Sequence, residues 1–142
     1  MPERFEAGTL NAPGIAGLGA GVDFILERGI ARIRENERDP TRYALEDLEG
    51  VPGITIYGPR SPDMQVRVIS LNLPGVRPQE VASILDEAHS IMVRAGLHCV
   101  PMAHRTTGTG GHGFLRVGLG CFNTASGADQ LAGALKETTR QS

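Results

Sequence analysis

The sequence predicts an α+β fold, a two-layer sandwich in which helices cover one face of a small, mostly antiparallel sheet. Three observations lead to this prediction. Apolar residues recur at the three-and-four spacing of amphipathic helices near both ends of the chain and in its middle. Short β-branched stretches bounded by glycine and proline lie between these helices. The chain has 142 residues, 40% of them hydrophobic, which is enough for one globular domain with a real core.

The chain opens on a segment without periodicity. Residues 1–14 are expected to form an irregular lead-in, followed by a single α+β domain over residues 15–142. The first helix is indicated by one apolar face that Gly29 weakens midway. Its apolar face consists of Ile15, Leu18, Val22, Ile25, Leu26, Ile30 and Ile33.

A second helix, or a kink, is expected at Asp39 and Pro40, which are typical of an N-cap and a first helical position. Gly50 is the expected end of this helix. Two strands follow, over residues 54–57 and 65–73, each ending in a glycine and proline turn. Both faces of the longer strand carry apolar side chains, which indicates a sheet that docks against something outside this chain.

The clearest helix runs from residue 78 to about residue 92 and carries one apolar stripe. A short strand-like segment over residues 94–100 comes next, and a strand is predicted over residues 114–122. Ser126 and Asp129 have the spacing of a capping box, so the last helix is expected to start there. The predicted order is therefore two helices, two strands, a helix, two strands and a helix.

Charge and cysteine content exclude several classes of function. The net charge of −2 gives no general attraction to nucleic acid or to an anionic membrane. No apolar run approaches the ~20 residues of a membrane span. Cys99 and Cys121 are too few for a disulfide scaffold, so we expect a protein of the reducing cytoplasm.

Reactive side chains are densest over residues 94–116, where the cluster consists of Arg94, His98, Cys99, His104, Arg105, His112 and Arg116. A cysteine beside a histidine and arginines is favoured as the thiolate, which is the reactive form. A cysteine can equally be a small buried hydrophobe, and the local sequence leaves both interpretations of Cys99 open. Cys121 lies in a strand pattern and is expected in the core.

Other kinds of site have weaker support. A zinc site would use His98, Cys99, His104 and His112, but their spacing matches no usual pair of ligands, so no metal is expected. The glycine-rich segment 108–113 leads into a strand and lacks the lysine of a phosphate-binding loop. We expect it to be a mobile loop beside a site. No G-x-S-x-G motif supports a serine hydrolase.

Three segments carry a family resemblance. Residues 4–11 (RFEAGTLN), followed by 14–19 (GIAGLG), resemble the crossing between the large and small domains of class V aminotransferase-fold enzymes. Residues 94–99 (RAGLHC) resemble the loop with the active-site cysteine in the cysteine desulfurase and selenocysteine lyase branch. Residues 114–124 (FLRVGLGCFNT) resemble a late strand of that branch. The match covers nearly the whole chain, in order and with sensible spacing.

The resemblance implies a role for five residues. Cys99 would be the nucleophile that forms a persulfide, and Arg116 would hold the substrate carboxylate through its paired donors. Arg94 and His98 would lie at the same substrate site. Thr9 would reach the phosphate of pyridoxal phosphate in the neighbouring subunit of a homodimer. The fold implied is the small domain of fold-type I pyridoxal-phosphate enzymes.

The resemblance also implies groups that this sequence lacks. Such enzymes hold pyridoxal phosphate on a lysine, usually beside a histidine, but Lys136 is the only lysine here and no such motif surrounds it. We expect the cofactor-binding large domain to lie before Met1, and this chain to bind no cofactor and to be inactive alone. Expected partners are that missing large domain, a second copy of the chain and a sulfur acceptor protein. The alternatives are a stand-alone or engineered folding or binding module without catalysis, and a sulfur-carrier domain that uses Cys99.

Overall fold

The computed structural model describes residue 5 and residues 7–141, except for the side chain of Gln141. In chain order, the elements within these residues are α1 (Ala12–Arg28), α2 (Ile30–Glu49), β1 (Thr55–Tyr57), β2 (Val68–Asn72), α3 (Pro78–His89), β3 (Arg94–Gly96), α4 (Pro101–Thr106), β4 (Phe114–Gly118) and α5 (Ala125–Gln141). The predicted α+β class is confirmed, and α4 was not predicted. No helix in the described part of the chain is long and apolar enough to cross a membrane.

The chain divides into two compact units, Met1–Glu35 and Asn36–Ser142. In the first unit α1 begins at Ala12, three residues before the expected start, because the Asn11 side chain accepts a hydrogen bond from the Gly14 N–H at 3.1 Å. None of the residues of α1 is buried. Its exposed apolar side chains are Ile15, Leu18, Val22, Ile25 and Leu26.

The expected start of the second helix at Asp39 is wrong. Gly29 adopts a positive φ of 77° and ends α1, so α2 already begins at Ile30 and Pro40 lies inside it. Proline has no N–H to donate, so the Asn36 carbonyl, four residues earlier, loses its helical donor. The boundary between the two units falls at this residue. The alternative expectation, a kink at Pro40, stays a prediction.

The strands form one antiparallel sheet in the order β1-β2-β4-β3. One face of this sheet is covered by helices, as predicted, and we call it the closed face. Its buried residues are Ile56, Ile69, Leu71, Leu115 and Val117. They form one hydrophobic cluster with helix residues that include Leu45 and Leu48 of α2, Val81 and Leu85 of α3, and Leu131 and Leu135 of α5.

The start of β2 and the chain after β4 are joined by a buried arginine. Arg67 donates from Nη1 to the Leu119 carbonyl at 2.9 Å, and its Nε lies 3.6 Å from the Glu37 carboxylate. A buried guanidinium is tolerated because its charge is paired and one of its donors is used. This arginine therefore fixes the end of the sheet at which β4 stops.

Two boundaries near the C-terminal end differ from the prediction. The strand β4 ends at Gly118 instead of residue 122. The helix α5 begins at Ala125, and Thr124 acts as its cap, because Thr124 Oγ1 accepts a hydrogen bond from the Gly127 N–H at 3.3 Å. The expected capping role of Ser126 is therefore wrong.

Candidate active site on the open face of the sheet

The second face of the sheet, which we call the open face, carries the side chains that alternate with the buried ones. They are Thr55, Tyr57, Val68, Ser70, Asn72, Arg94, Phe114 and Arg116, all of them exposed or half-buried. The strand register aligns four of them in a row, because Tyr57 pairs with Ser70, Ser70 with Arg116, and Arg116 with Arg94. Side chains directly opposite each other on neighbouring strands lie close together. Two guanidinium groups thus stand side by side on this face.

The predicted nucleophile lies on the loop that follows β3. Cys99 is free and exposed, three residues after β3 ends at Gly96. Its exposure excludes the interpretation of this residue as a buried hydrophobe. Cys121 is also free and exposed, so its predicted place in the core is wrong. The reason is that β4 stops at Gly118 and Cys121 lies in the turn beyond it.

A buried histidine on α4 holds the loop that carries Cys99. The imidazole of His104 is 2% exposed, and its Nε2 accepts a hydrogen bond from the backbone N–H of His98 at 3.0 Å. Its Nδ1 lies 2.8 Å from Thr109 Oγ1. Both ring nitrogens of His104 are therefore occupied by protein partners.

Aromatic contacts fix the same loop against the open face. The Phe114 ring lies at the centre of these contacts, with its centroid 4.6 Å from that of His104, 5.1 Å from that of His98 and 5.8 Å from that of Tyr57. Tilted ring pairs at such separations add to the stability gained from burial alone. The ring of His98 is consequently packed over the start of β4.

The charge on His98 is set by its surroundings. Burial lowers the pKa of the imidazole below its usual value, and the positive charges of Arg116 and Arg94 lower it further. The ring Nε2 of His98 is buried without a hydrogen-bond partner. The site thus combines two fixed positive charges with an imidazole that resists protonation, an arrangement suited to a small carboxylate ligand.

The alternative metal site finds no support in the geometry. Across residue 5 and residues 7–141, no group of three or more His, Cys, Asp or Glu side chains is placed to hold a metal ion. His104, one of the four residues considered for zinc, already uses Nε2 and Nδ1 in hydrogen bonds. A ligating nitrogen needs its lone pair free for the metal.

The glycine-rich segment 108–113 forms successive turns around a buried residue. Thr109 is 1% exposed, its N–H donates to the His104 carbonyl at 2.8 Å, and its own carbonyl accepts from the Gly113 N–H at 2.7 Å. Gly113 has a positive φ of 78°, and a Cβ built on it would overlap the Gly96 carbonyl. This close approach of two backbones holds the end of β3 against the start of β4. The expected mobility of the segment stays a prediction.

The structure brings together three of the five residues predicted for the site. Arg94, His98 and Arg116 interact electrostatically on the open face, and Cys99 follows His98 in the chain. Thr9 is exposed and lies in the first unit, outside α1. Their roles stay predictions.

The anchoring roles in the site were not predicted from the sequence. His104 was expected in the cluster of reactive side chains and was considered as a zinc ligand, and Phe114 and Thr109 were given no part in the site. The alternation of β4, which places Phe114 on the same face as Arg116, was a signal that could have found one of them.

Comparisons with known proteins assign the chain to a family of aminotransferase-fold proteins. The sequence profile of the family described as Aminotransferase class-V matches residues 1–131, and the chain belongs to this family. A probable cysteine desulfurase of Pyrococcus abyssi is 39% identical over 140 residues, which are 98% of this chain and 34% of the relative. A cysteine desulfurase of Salmonella agona is 39% identical over 139 residues, 98% of this chain and 33% of the relative. The chain thus spans about a third of the length of the curated relatives it matches.

Solved structures agree with this assignment. The apo structure of the cysteine desulfurase from Thermococcus onnurineus NA1 matches 99% of this chain and 34% of its own, with a TM-score of 0.88 and 36% identity. The cysteine desulfurase CsdA from Escherichia coli, as its S-sulfonic acid form, matches 99% of this chain and 33% of its own, with a TM-score of 0.84 and 26% identity. The chain therefore has the fold of one third of a cysteine desulfurase.

Proposed function

We propose that this chain is the C-terminal small domain of a pyridoxal-phosphate-dependent cysteine desulfurase, in which Cys99 takes the sulfur of L-cysteine as a persulfide and alanine is released. The observation that supports the proposal best is the open face. There Arg116 and Arg94 stand on paired strands beside His98, and the next residue in the chain is an exposed, free cysteine.

Arg116 is the proposed ligand of the substrate carboxylate. It lies on a central strand, half-buried, with its Cα paired to that of Arg94 on β3. A guanidinium presents two parallel donors that match the two oxygens of a carboxylate. Arg94 adds a second positive charge, while the lowered pKa of His98 keeps its imidazole from adding a third. A substrate held by its carboxylate in this row would have its side chain within the reach of groups on the neighbouring loop.

The residues of this chain do not fit the covalent attachment of pyridoxal phosphate. Lys136 lies on α5, where its Nζ is 3.3 Å from a Cβ built on Gly50. The Leu131 and Leu135 side chains of the same helix cover the closed face, so Lys136 belongs to the helix layer, whereas Arg116 points to the other side of the sheet. We propose that the parent's large domain holds the cofactor, that Thr9 contacts its phosphate in a neighbouring subunit, and that this chain alone does not desulfurate cysteine.

The proposed partners follow from surfaces in each unit. The apolar stripe of α1 in the first unit exposes side chains that a folded protein normally covers, and the open face in the second unit exposes Val68 beside the half-buried rings of Tyr57 and Phe114. We assign these surfaces to contact with the large domain and with a second copy of the chain in a homodimer. A sulfur acceptor protein would take the persulfide from the exposed loop. Two free thiols fit the reducing cytoplasm as the compartment of the protein.

Sulfur transfer from two matched donors tests the roles of Cys99 and Arg116. Cysteine persulfide carries a carboxylate and cysteamine persulfide lacks it. In either case the Cys99 thiolate attacks the outer sulfur, and the donor leaves as its thiolate. We expect Cys99 to be persulfidated faster by cysteine persulfide, and the Arg116→Ala variant to lose this preference. The persulfide is trapped by alkylation at successive times, and mass spectrometry of the peptide that contains Cys99 gives the rates.

The second exposed cysteine supplies the internal control. Cys121 lies outside the site and should react equally with both donors in the Cys99→Ser variant. The proposal fails if Cys99 shows no preference for the carboxylated donor, or if the preference survives in the Arg116→Ala variant.

A further inference from the structure

We infer that His104 is a positioning residue for Cys99, because its imidazole, fixed in one tautomer, holds the backbone of the loop that presents the thiol. The inference rests on the proposed role of Cys99 and adds a residue that the persulfide chemistry by itself does not require. His104 does not contact the substrate in this scheme. It acts through the backbone of His98.

The backbone N–H of His98 determines which nitrogen of the neutral His104 imidazole carries the proton. The His98 backbone N–H can only donate, so Nε2 accepts and the ring proton of the neutral imidazole lies on Nδ1. Nδ1–H then donates to Thr109 Oγ1. The Thr109 hydroxyl donates to Thr107 Oγ1 at 2.9 Å, and the Thr107 hydroxyl donates to the Ala103 carbonyl at 2.9 Å. The Thr107 hydroxyl also lies 3.4 Å from the His104 carbonyl, and donation to either carbonyl is compatible with the tautomer whose Nε2 accepts.

The loop between β3 and α4 depends on this contact because it has little packing of its own. Leu97 and Val100, on either side of the two central residues, are 62% and 58% exposed. Cys99 between them is exposed as well. His98 joins the loop to the domain through its ring against Phe114 and through its N–H on His104. Loss of the second contact would remove one restraint on the backbone next to Cys99.

Two substitutions of similar polarity separate the role of Nε2 from that of the rest of the ring. In His104→Gln the amide oxygen can replace Nε2 as the acceptor for the His98 N–H. In His104→Asn the shorter amide reaches only the position of Nδ1, so it can bond Thr109 but not His98. A residue needed merely to fill space would tolerate both or neither. A positioning residue tolerates glutamine alone.

Hydrogen exchange of the His98 amide, measured by NMR on the whole chain, is the first readout. We expect the rate to rise about fivefold or more in His104→Asn, in keeping with the loss of one hydrogen bond, and to stay within about twofold of the unmodified protein in His104→Gln. The Leu115 amide in β4 reports whether the domain itself has been loosened. Unchanged exchange at His98 in His104→Asn, or equal acceleration in both variants, overturns the inference.

The preference of Cys99 for cysteine persulfide over cysteamine persulfide is the second readout. It should be lost in His104→Asn and kept in His104→Gln. If the unmodified chain shows no such preference, the proposed function has failed, and the exchange at His98 still decides the role of His104. If the preference is present and both variants retain it, the role of His104 is refuted while the proposed function stands.

A second pair of variants covers the case in which His104→Asn does not fold. Thr109→Val removes the hydroxyl that accepts from the Nδ1–H of His104, and Thr109→Ser keeps it. Faster His98 exchange in Thr109→Val, together with an unchanged rate in Thr109→Ser, supports the positioning role. Equal rates in the two threonine variants contradict it.

Discussion

The two faces of the sheet differ in composition and burial although they are built from the same strands. On the closed face every strand residue from β2 and β4 is apolar and buried, as Leu71 and Leu115 illustrate. On the open face the alternate residues of those strands include Ser70 and Arg116, and they stay in contact with solvent. The closed face packs against the helices, and the open face carries the candidate site. In β2 and β4 a shift of one residue would exchange the two faces, so the register decides which side chains form the candidate site.

The largest expected effect is a difference between the two faces in how much an alanine substitution lowers the free energy of unfolding. Leu71→Ala leaves a cavity in the closed face and should lower the free energy of unfolding by about 2–5 kcal/mol. Val68→Ala, on the open face of the same strand, removes a side chain that is 42% exposed and should cost less than about 1 kcal/mol. Urea titration followed by circular dichroism measures both. Equal losses would mean that the open face is packed as tightly as the closed one.

An intermediate effect is expected where the open face meets the glycine-rich segment. Gly113→Ala forces a side chain into a positive φ and against the Gly96 backbone, so we expect a loss of about 2 kcal/mol or more. Gly111→Ala is the matched control in the same segment, because a Cβ there meets nothing within 4 Å and its φ is not positive. It should change stability by less than about 0.5 kcal/mol. Thermal unfolding of both variants distinguishes a close backbone approach from general loop flexibility.

The smallest effect concerns the charge on the open face. Arg116→Ala removes a positive charge near His98 and should raise the pKa of its imidazole, whereas Ser70→Ala, at the neighbouring position of the row, removes no charge and should leave it unchanged. NMR titration of the His98 ring measures both. An unaltered pKa in Arg116→Ala would show that the two side chains do not sense each other.

The same lowered pKa predicts how stability depends on pH. Because the imidazole of His98 has a lower pKa in the folded chain than the value of about 6.5 in the unfolded chain, the unfolded chain binds the proton more readily. The contribution of the neutral His98 imidazole to the free energy of unfolding is therefore complete above pH ~6.5, and it is lost as the pH falls through the lowered pKa of the folded chain. Arg116→Ala should weaken this dependence in melting curves recorded between pH 8 and pH 5.

The sequence predicted the helices and strands that are long enough to show a repeated pattern of apolar or β-branched residues. The stripe of α3 and the β-branched run that contains β2 extend over several residues, and both elements lie within the ranges expected for them. The helix α4 has only six residues, too few for a periodic signal, and Pro101 at its first position was the one local indication of it. Pro40 was misleading because its preference for a helix start was overridden by the helix that continues through it.

The site was predictable only in part, for a physical reason. The sequence placed Arg94, Cys99 and Arg116 in one cluster because they are near one another in the chain and resemble known segments. The row that joins Arg116 to Ser70 depends on pairing between β2 and β4, which are separated by α3, β3 and α4. The bond between His104 and His98 depends on the shape of a loop. Neither the strand pairing nor this hydrogen bond produces a repeated pattern in the sequence from which it could be predicted.

The ends of the sheet decide how other chains can approach this one. The edge strands, β1 and β3, have three residues each, so an additional strand would find only a few unpaired backbone N–H and C=O groups there. A partner that extends the sheet by adding a strand would gain few hydrogen bonds there. Short edge strands therefore disfavour the open-ended strand addition that leads to fibrils, and an association of this domain would have to use side-chain surfaces instead.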